Sequence, residues 1–333
     1  MNKQAMKLRT STVIAALLGS LLAAPALAQA PAAPAPLQAQ PAQKSAAAAQ
    51  APIQGAAHAG RRLVTVGDYG TILLSDDGGK SFRQAASVPV SSTLTAVHFA
   101  DDRNGWAVGQ WGAIIHTADG GENWTIQRLE TQEDRPLFSV HFTSAREGIA
   151  VGLWSLLLRT QDGGKTWMPL DLPAPPDGGK ADRNLFRIFA SAKGELFVAA
   201  ERGMVLRSAD RGQSWQYLNT GYKGSLWTGV ALKDGTLLVG GLRGSLYRST
   251  DDGKSWSPVV SGSKSSVTDL VEGDGHVYGT SLDGVLLDST DGGVSFTWKQ
   301  RDDRLSLTAA LAGSQGLVRF SRRGVVTDSF GTP

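Results

Sequence analysis

Gly105-Trp106-Ala107-Val108-Gly109-Gln110-Trp111-Gly112-Ala113-Ile114-Ile115-His116-Thr117-Ala118-Asp119-Gly120-Gly121-Glu122-Asn123-Trp124 is the stretch that decides the fold of this chain. It reads as a short strand over Trp106–Val108, a turn around Gly109 and Gly112, a second strand over Ala113–His116, and a tight polar turn from Thr117 to Trp124. A Thr hydroxyl and an Asp carboxylate bond to backbone amides inside such a turn and set its shape. Glycine adopts backbone conformations that a side chain forbids. The closing Trp124 is then placed to fold back into an apolar layer.

The turn recurs five more times, beginning at Ser75, Thr160, Ser208, Ser249 and Ser289, with Asp77, Asp162, Asp210, Asp251 and Asp291 in place of Asp119. The closing aromatics Phe82, Trp124, Trp167, Trp215, Trp256 and Phe296 are 42, 43, 48, 41 and 40 residues apart. That is the period of a four-stranded propeller blade. One such turn is weak evidence; six in register define the architecture.

The box Ser/Thr-x-Asp-x-Gly-x-Ser/Thr-Trp/Phe resembles the Asp-box (BNR) repeat of sialidases, sortilin-type receptors and several glycosidases. The longer pattern is Val-Gly, two residues, Gly, an apolar strand and the box. It is most similar to the propellers of the photosystem II stability/assembly factor family, over about Leu63 to Val326. Four positions depart from it: Asn123 replaces a hydroxyl residue, Phe82 and Phe296 replace Trp, and Ala200 stands where other repeats have Gly.

The chain has 333 residues, and its ends differ from the repeat. Lys3, Lys7 and Arg9 precede an apolar run, Val13 to Ala24, that ends in small residues before Ala30, so residues 1–28 read as a secretory signal peptide. The run is too short and too interrupted for a membrane anchor, and no later segment reads as spanning a bilayer. The signal peptide carries three cations and no acids, leaving 33 − 3 = 30 Lys and Arg against 30 Asp and Glu. A balanced mature chain argues against nucleic acid as a partner. The absence of Cys leaves an exported chain to be stabilised by its core. Residues 29–59, rich in Ala, Pro and Gln, read as a flexible linker, and 60–333 as the propeller.

Innermost strands are expected at Leu94–Phe99, Leu137–Phe142, Leu185–Phe189, Trp227–Leu232, Val267–Val271 and Leu305–Leu311, with a weaker one at Ile53–Ala57. The expected fold is all-β, a seven-bladed propeller with a last blade short of one strand; six blades are the alternative. The remnant Thr327-Asp328-Ser329-Phe330 ends the pattern without a complete box, so the N-terminal region is expected to help close the ring.

A propeller places the boxes on one face and the turns between second and third strands on the other. The residue just before the second Gly of those turns is, blade by blade, Tyr69, Trp111, Trp154, Arg202, Arg243, Asp283 and Arg323. Connections between blades add Arg135, Lys180, Arg183, Tyr222, Lys223, Lys264, Arg301 and Arg304, predicting a basic, aromatic face opposite an acidic one. Tyr69, Trp111, Trp154, Arg202, Arg243 and Arg323 are the candidate partner-binding residues, since Trp, Tyr and Arg dominate interface energetics.

No catalytic residue, metal ligand or cofactor is assigned. The box Asp residues recur as a folding unit needs them to. Phe186-Arg187-Ile188-Phe189 matches the sialidase Phe-Arg-Ile-Pro motif in only three residues and lies after three boxes; Arg187 is expected to face the axis against Asp269. A glycosidase needs two converging carboxylates, and spacing specifies no such pair. His98 and His141 occupy equivalent inner-strand positions, but two imidazoles without a third ligand are a poor metal site. The reading is therefore a non-catalytic, monomeric periplasmic (or otherwise secreted or lumenal) scaffold that binds a membrane-associated protein. The family resemblance implies an assembly or stability factor linked to photosystem II and photosynthesis. The alternative is a carbohydrate-active or carbohydrate-binding Asp-box protein.

Overall fold

The computed structural model describes residues 39–313 and 316–327. The stretch expected to be a signal peptide, the start of the Ala/Pro/Gln segment and the chain from Asp328 lie outside the described residues.

Seven antiparallel sheets form the blades, six with four strands and the last with three among the described residues. The innermost strands are Ile53–Ala59, Leu94–Phe99, Leu137–Phe142, Leu185–Ala190, Leu226–Ala231, Val267–Gly273 and Leu307–Gly313. Second strands such as Gly105–Gly109, Gly148–Gly152 and Leu196–Ala200 are buried from end to end. Each lies between two strands of its own sheet with a neighbouring blade on either side. This is why such strands read as continuous apolar runs rather than alternating ones.

The boxes form as their residue types require. In the first, Gly79 N–H donates to Ser75 Oγ (2.8 Å), Ser81 N–H to Asp77 Oδ1 (3.0 Å) and Ser81 Oγ to Asp77 Oδ2 (2.6 Å). In the second, Asn123 Nδ2 donates to Asp119 Oδ2 at 2.9 Å, so an amide replaces the missing hydroxyl. Trp124 Nε1 then donates to Gly121 O (2.8 Å), and its ring packs on Phe99 between blades 1 and 2. Phe82 makes the corresponding inter-blade contact edge-on to Phe320 of blade 7.

That contact belongs to the seam that closes the ring. Ile53, Leu63, Leu73, Ala309, Leu311 and Phe320 share one apolar cluster, and Thr308 Oγ1 donates to Ile53 O at 2.6 Å. The linker boundary expected at Ala59 is corrected here. Ile53–Ala59 is the complete inner strand of blade 1, and chain before it is packed as well. Ala42 N–H donates to Val88 O, and the 3-10 turn Ala48–Gln50 lies against the outermost described strand of blade 7, Gly324–Val326. Ala-rich composition signals low burial only when the chain is alone. Small side chains also allow close packing against a neighbour: a Cβ on Gly324 would lie 1.8 Å from Ala49 O.

Candidate functional site

The turns between second and third strands share one unusual geometry. Tyr69 (φ 58°), Trp111 (59°), Trp154 (52°), Arg202 (56°), Arg243 (59°) and Asp283 (57°) all adopt left-handed backbone. The conformation is fixed locally: in blade 1, Thr71 N–H donates back to Asp68 O, and Gly70 follows at φ 65°. A left-handed residue with a side chain costs about 1–2 kcal/mol relative to ordinary backbone. Gly or Asn carries less of that cost, yet large side chains occupy these tips. Such strain recurs where a side chain is retained for use.

The seventh tip differs. Arg322 and Arg323 span a two-residue hairpin between Ser321 and Gly324, and Gly324 alone of that turn takes positive φ. Arg323 is exposed on the same face but lacks the shared tip geometry expected of it.

Side-chain exposure separates the candidates. Tyr69 is 72% and Trp154 52% exposed, far beyond what a core aromatic shows. Trp111 is half-buried, its N–H held by Asp134 Oδ1 at 2.7 Å. Arg202, Arg243 and Arg323 are exposed and form no ion pair among the described residues.

The connections contribute less free charge than their composition indicates. Arg183 is buried, paired with Asp177 and lying over the Tyr217 ring. Arg301 pairs with Asp303 at 2.9 Å and holds that carboxyl down at about 2, and Tyr222 OH donates to Leu242 O. Acids on this face also have internal duties: Asp68 accepts from Gln54 and Thr93, and Glu201 from Asn184. The free positive charge of the face expected to be basic and aromatic is thus concentrated in a sector across blades 4 to 7. There Arg202, Lys223, Arg243, Lys264, Arg304 and Arg323 are exposed without ion pairs among the described residues. The box face is a lattice of pairs instead, including Arg62–Asp76, Arg83–Glu122, Lys193–Asp252 and Arg207–Glu195.

The residues missed in the sequence lie at the channel mouth on the tip face. Each inner strand skips one residue in its pairing near its start. In blades 2, 6 and 7 that residue is Thr95, Thr268 or Thr308, whose hydroxyl bonds a carbonyl of the next blade. In blades 3, 4 and 5 it is Phe138, Phe186 or Trp227, and Phe138 stacks on Phe186 with centroids 5.7 Å apart. Three adjacent aromatics where other blades carry Thr or Gln were the available signal.

At the box end of the channel, Arg187 meets Asp269 at 3.4 Å, as the sequence indicates. Asp269 is buried and also accepts from Thr228 Oγ1 and the Ala310 and Leu270 amides. Its oxygens are committed to structure, which counts against its use as a glycosidase acid. Among the described residues no group of three or more His, Asp or Glu is placed to hold a metal. No described helix is long and apolar enough to cross a membrane.

Comparison with known proteins matches this chain to a family. The model of the photosynthesis system II assembly factor YCF48 family matches residues 83–178 and 134–281. A solved structure described as YCF48 bound to D1 peptide is 21% identical, with a TM-score of 0.66, covering 84% of this chain and 95% of that one. YCF48 from Cyanidioschyzon merolae is 16% identical, with a TM-score of 0.65, covering 86% and 97%. At these identities the two structures speak for the fold alone. No curated protein matches the chain. The family match spans 83–281, well over half of the sequence, and the chain belongs to the photosynthesis system II assembly factor YCF48 family.

Proposed function

We propose that this protein is a non-catalytic, exported assembly or stability factor that works as a monomer in the periplasm or an equivalent compartment. It holds an acidic segment of a membrane-associated protein on its tip face. One observation carries the reading: bulky aromatic and Arg side chains occupy strained left-handed tips and remain exposed there. Tyr69, Trp111 and Trp154 supply apolar contact over blades 1 to 3. Arg202, Arg243 and Arg323 supply donors suited to carboxylates. The relative described as bound to D1 peptide supports a peptide segment as the ligand class.

The test changes Arg202, Arg243 and Arg323 together to Glu and measures capture from detergent-solubilised membranes of the host. Melting is expected to stay almost unchanged, because exposed charges contribute little to stability. Capture should fall and lose most of its salt dependence. Equal capture of the same partner at low salt would remove this face as the binding surface.

A further inference from the structure

We propose that the axial recess at the box end of the channel is a binding site for a carboxylate, held by Arg187, His98 and His141. The recess has a volume of about 390 Å³, and these three residues line it with His58 and Glu272. It lies at the opposite end of the channel from the tips and is independent of the function proposed for them.

The polar groups around this recess are under-used by the protein. His98 Nδ1 accepts the Phe142 N–H at 3.2 Å, which places its proton on Nε2 and leaves that donor without a partner among the described residues. His141 lies against His98, with centroids 4.3 Å apart and ring planes tilted by 50°, and has no hydrogen-bond partner among the described residues on either nitrogen. Arg187 touches Asp269 at 3.4 Å through one nitrogen and is 34% exposed at its side chain, so the rest of its donor fork is open. A recess with convergent, unsatisfied donors is the usual form of a small-ligand site. A guanidinium fork fits a carboxylate bidentately.

The charges around His141 decide how such a ligand is held. Arg187 of blade 4 and Asp269 of blade 6 offset one another. Glu272 of blade 6 is turned to the Lys233 amide at 3.0 Å, and His58 of blade 1 to Ala312 O at 2.9 Å. Blades 5 and 7 line the recess with Gly229, Ala231, Leu311 and Ala312, which carry no charge. With both imidazoles neutral the recess therefore has no spare positive charge, and a bound carboxylate takes up a proton with it. His98 is the poorer acceptor, because a proton on Nδ1 would oppose the Phe142 N–H. His141 is free to accept it. Burial, with Arg187 nearby, holds unliganded His141 down at about 4. An anion in contact reverses that depression.

The test uses the full chain, whose five histidines make imidazole nitrogen NMR tractable. The probes are acetate for a free small acid, N-acetylglycine for a chain terminus, and N-acetylglycinamide as the uncharged control. For a bound His141 near the ordinary pKa of about 6.5, either acid should bind about tenfold more tightly at pH 5.5 than at pH 7.5, with proton uptake at His141 and not His98. Binding of both acids assigns the site to free acids, and binding of N-acetylglycine alone assigns it to a chain end. Arg187→Lys, which keeps the charge beside Asp269, should weaken either by more than tenfold. His141→Gln should flatten the pH dependence. If Arg187→Lys unfolds, the charge-neutral pair Arg187→Gln with Asp269→Asn replaces it. Binding of neither acid, or of the amide as tightly as the acid, overturns the proposal.

Discussion

Replacing Arg202 and Arg243 together by glycine should make this propeller more stable while weakening its hold on a partner. Both tips sit in left-handed backbone, at φ 56° and 59°. Leaving that strain is worth about 1–2 kcal/mol per residue, against which glycine adds about 0.4–1 kcal/mol of unfolded-state entropy. The net is a gain of roughly 1 kcal/mol per site. Neither side chain makes an ion pair among the described residues, and the Arg243 N–H bond to Ser266 Oγ at 3.0 Å survives in glycine. At about 2–4 °C per kcal/mol for domains of this size class, the pair should raise Tm by about 4–8 °C. Partner capture should fall at least tenfold, on the order expected when interface arginines are removed. The assay is a thermal melt alongside capture at low and high salt. A drop in Tm would show that the arginines stabilise the fold and refute the strain argument. A rise in Tm with capture intact would separate the strain from binding.

The remaining predictions concern the ring and its turns. Asn123→Ser should leave stability nearly unchanged and Asn123→Ala should cost about 0.5–1.5 kcal/mol, read by denaturant unfolding, because only the donor to Asp119 matters. The carboxyls of Asp162, Asp210 and Asp251 are held down at about 2 by bonds from box Ser and Thr residues, with burial opposing this at Asp210. Their folded pKa values lie below the unfolded value, so stability should be flat above about pH 5 and fall between about pH 4 and 2; a melt series that is flat across that window would contradict the turn geometry. A truncation starting at residue 60 should not give a cooperative fold, because it removes the inner strand Ile53–Ala59, whereas one starting at residue 39 should melt like the full chain. The purified protein should not turn over sialosides or aryl glycosides, and activity lost in Asp269→Asn would restore the glycosidase reading.

The blade count, the box turns and the inner strands were legible from residue types because each rests on contacts within a few positions of the chain. Ser75, Asp77, Gly79 and Ser81 form their turn from bonds spanning no more than four residues, so a local pattern states the local structure. The tip residues were legible as a face for the same reason, since the repeat places them in register. Their left-handed backbone was hidden because Trp, Tyr and Arg are not the types that prefer it. What only the tertiary structure decided depends on the ring being closed. Thr308 reaches Ile53 across 255 positions and His58 reaches Ala312 across 254, and these contacts turn an Ala-rich stretch into blade 1. Burying Arg183 over Tyr217 and placing His98, His141 and Arg187 around one recess likewise depend on strands far apart in the chain. A side chain's type states which partners it can take, but only the packed ring determines which of them are within reach.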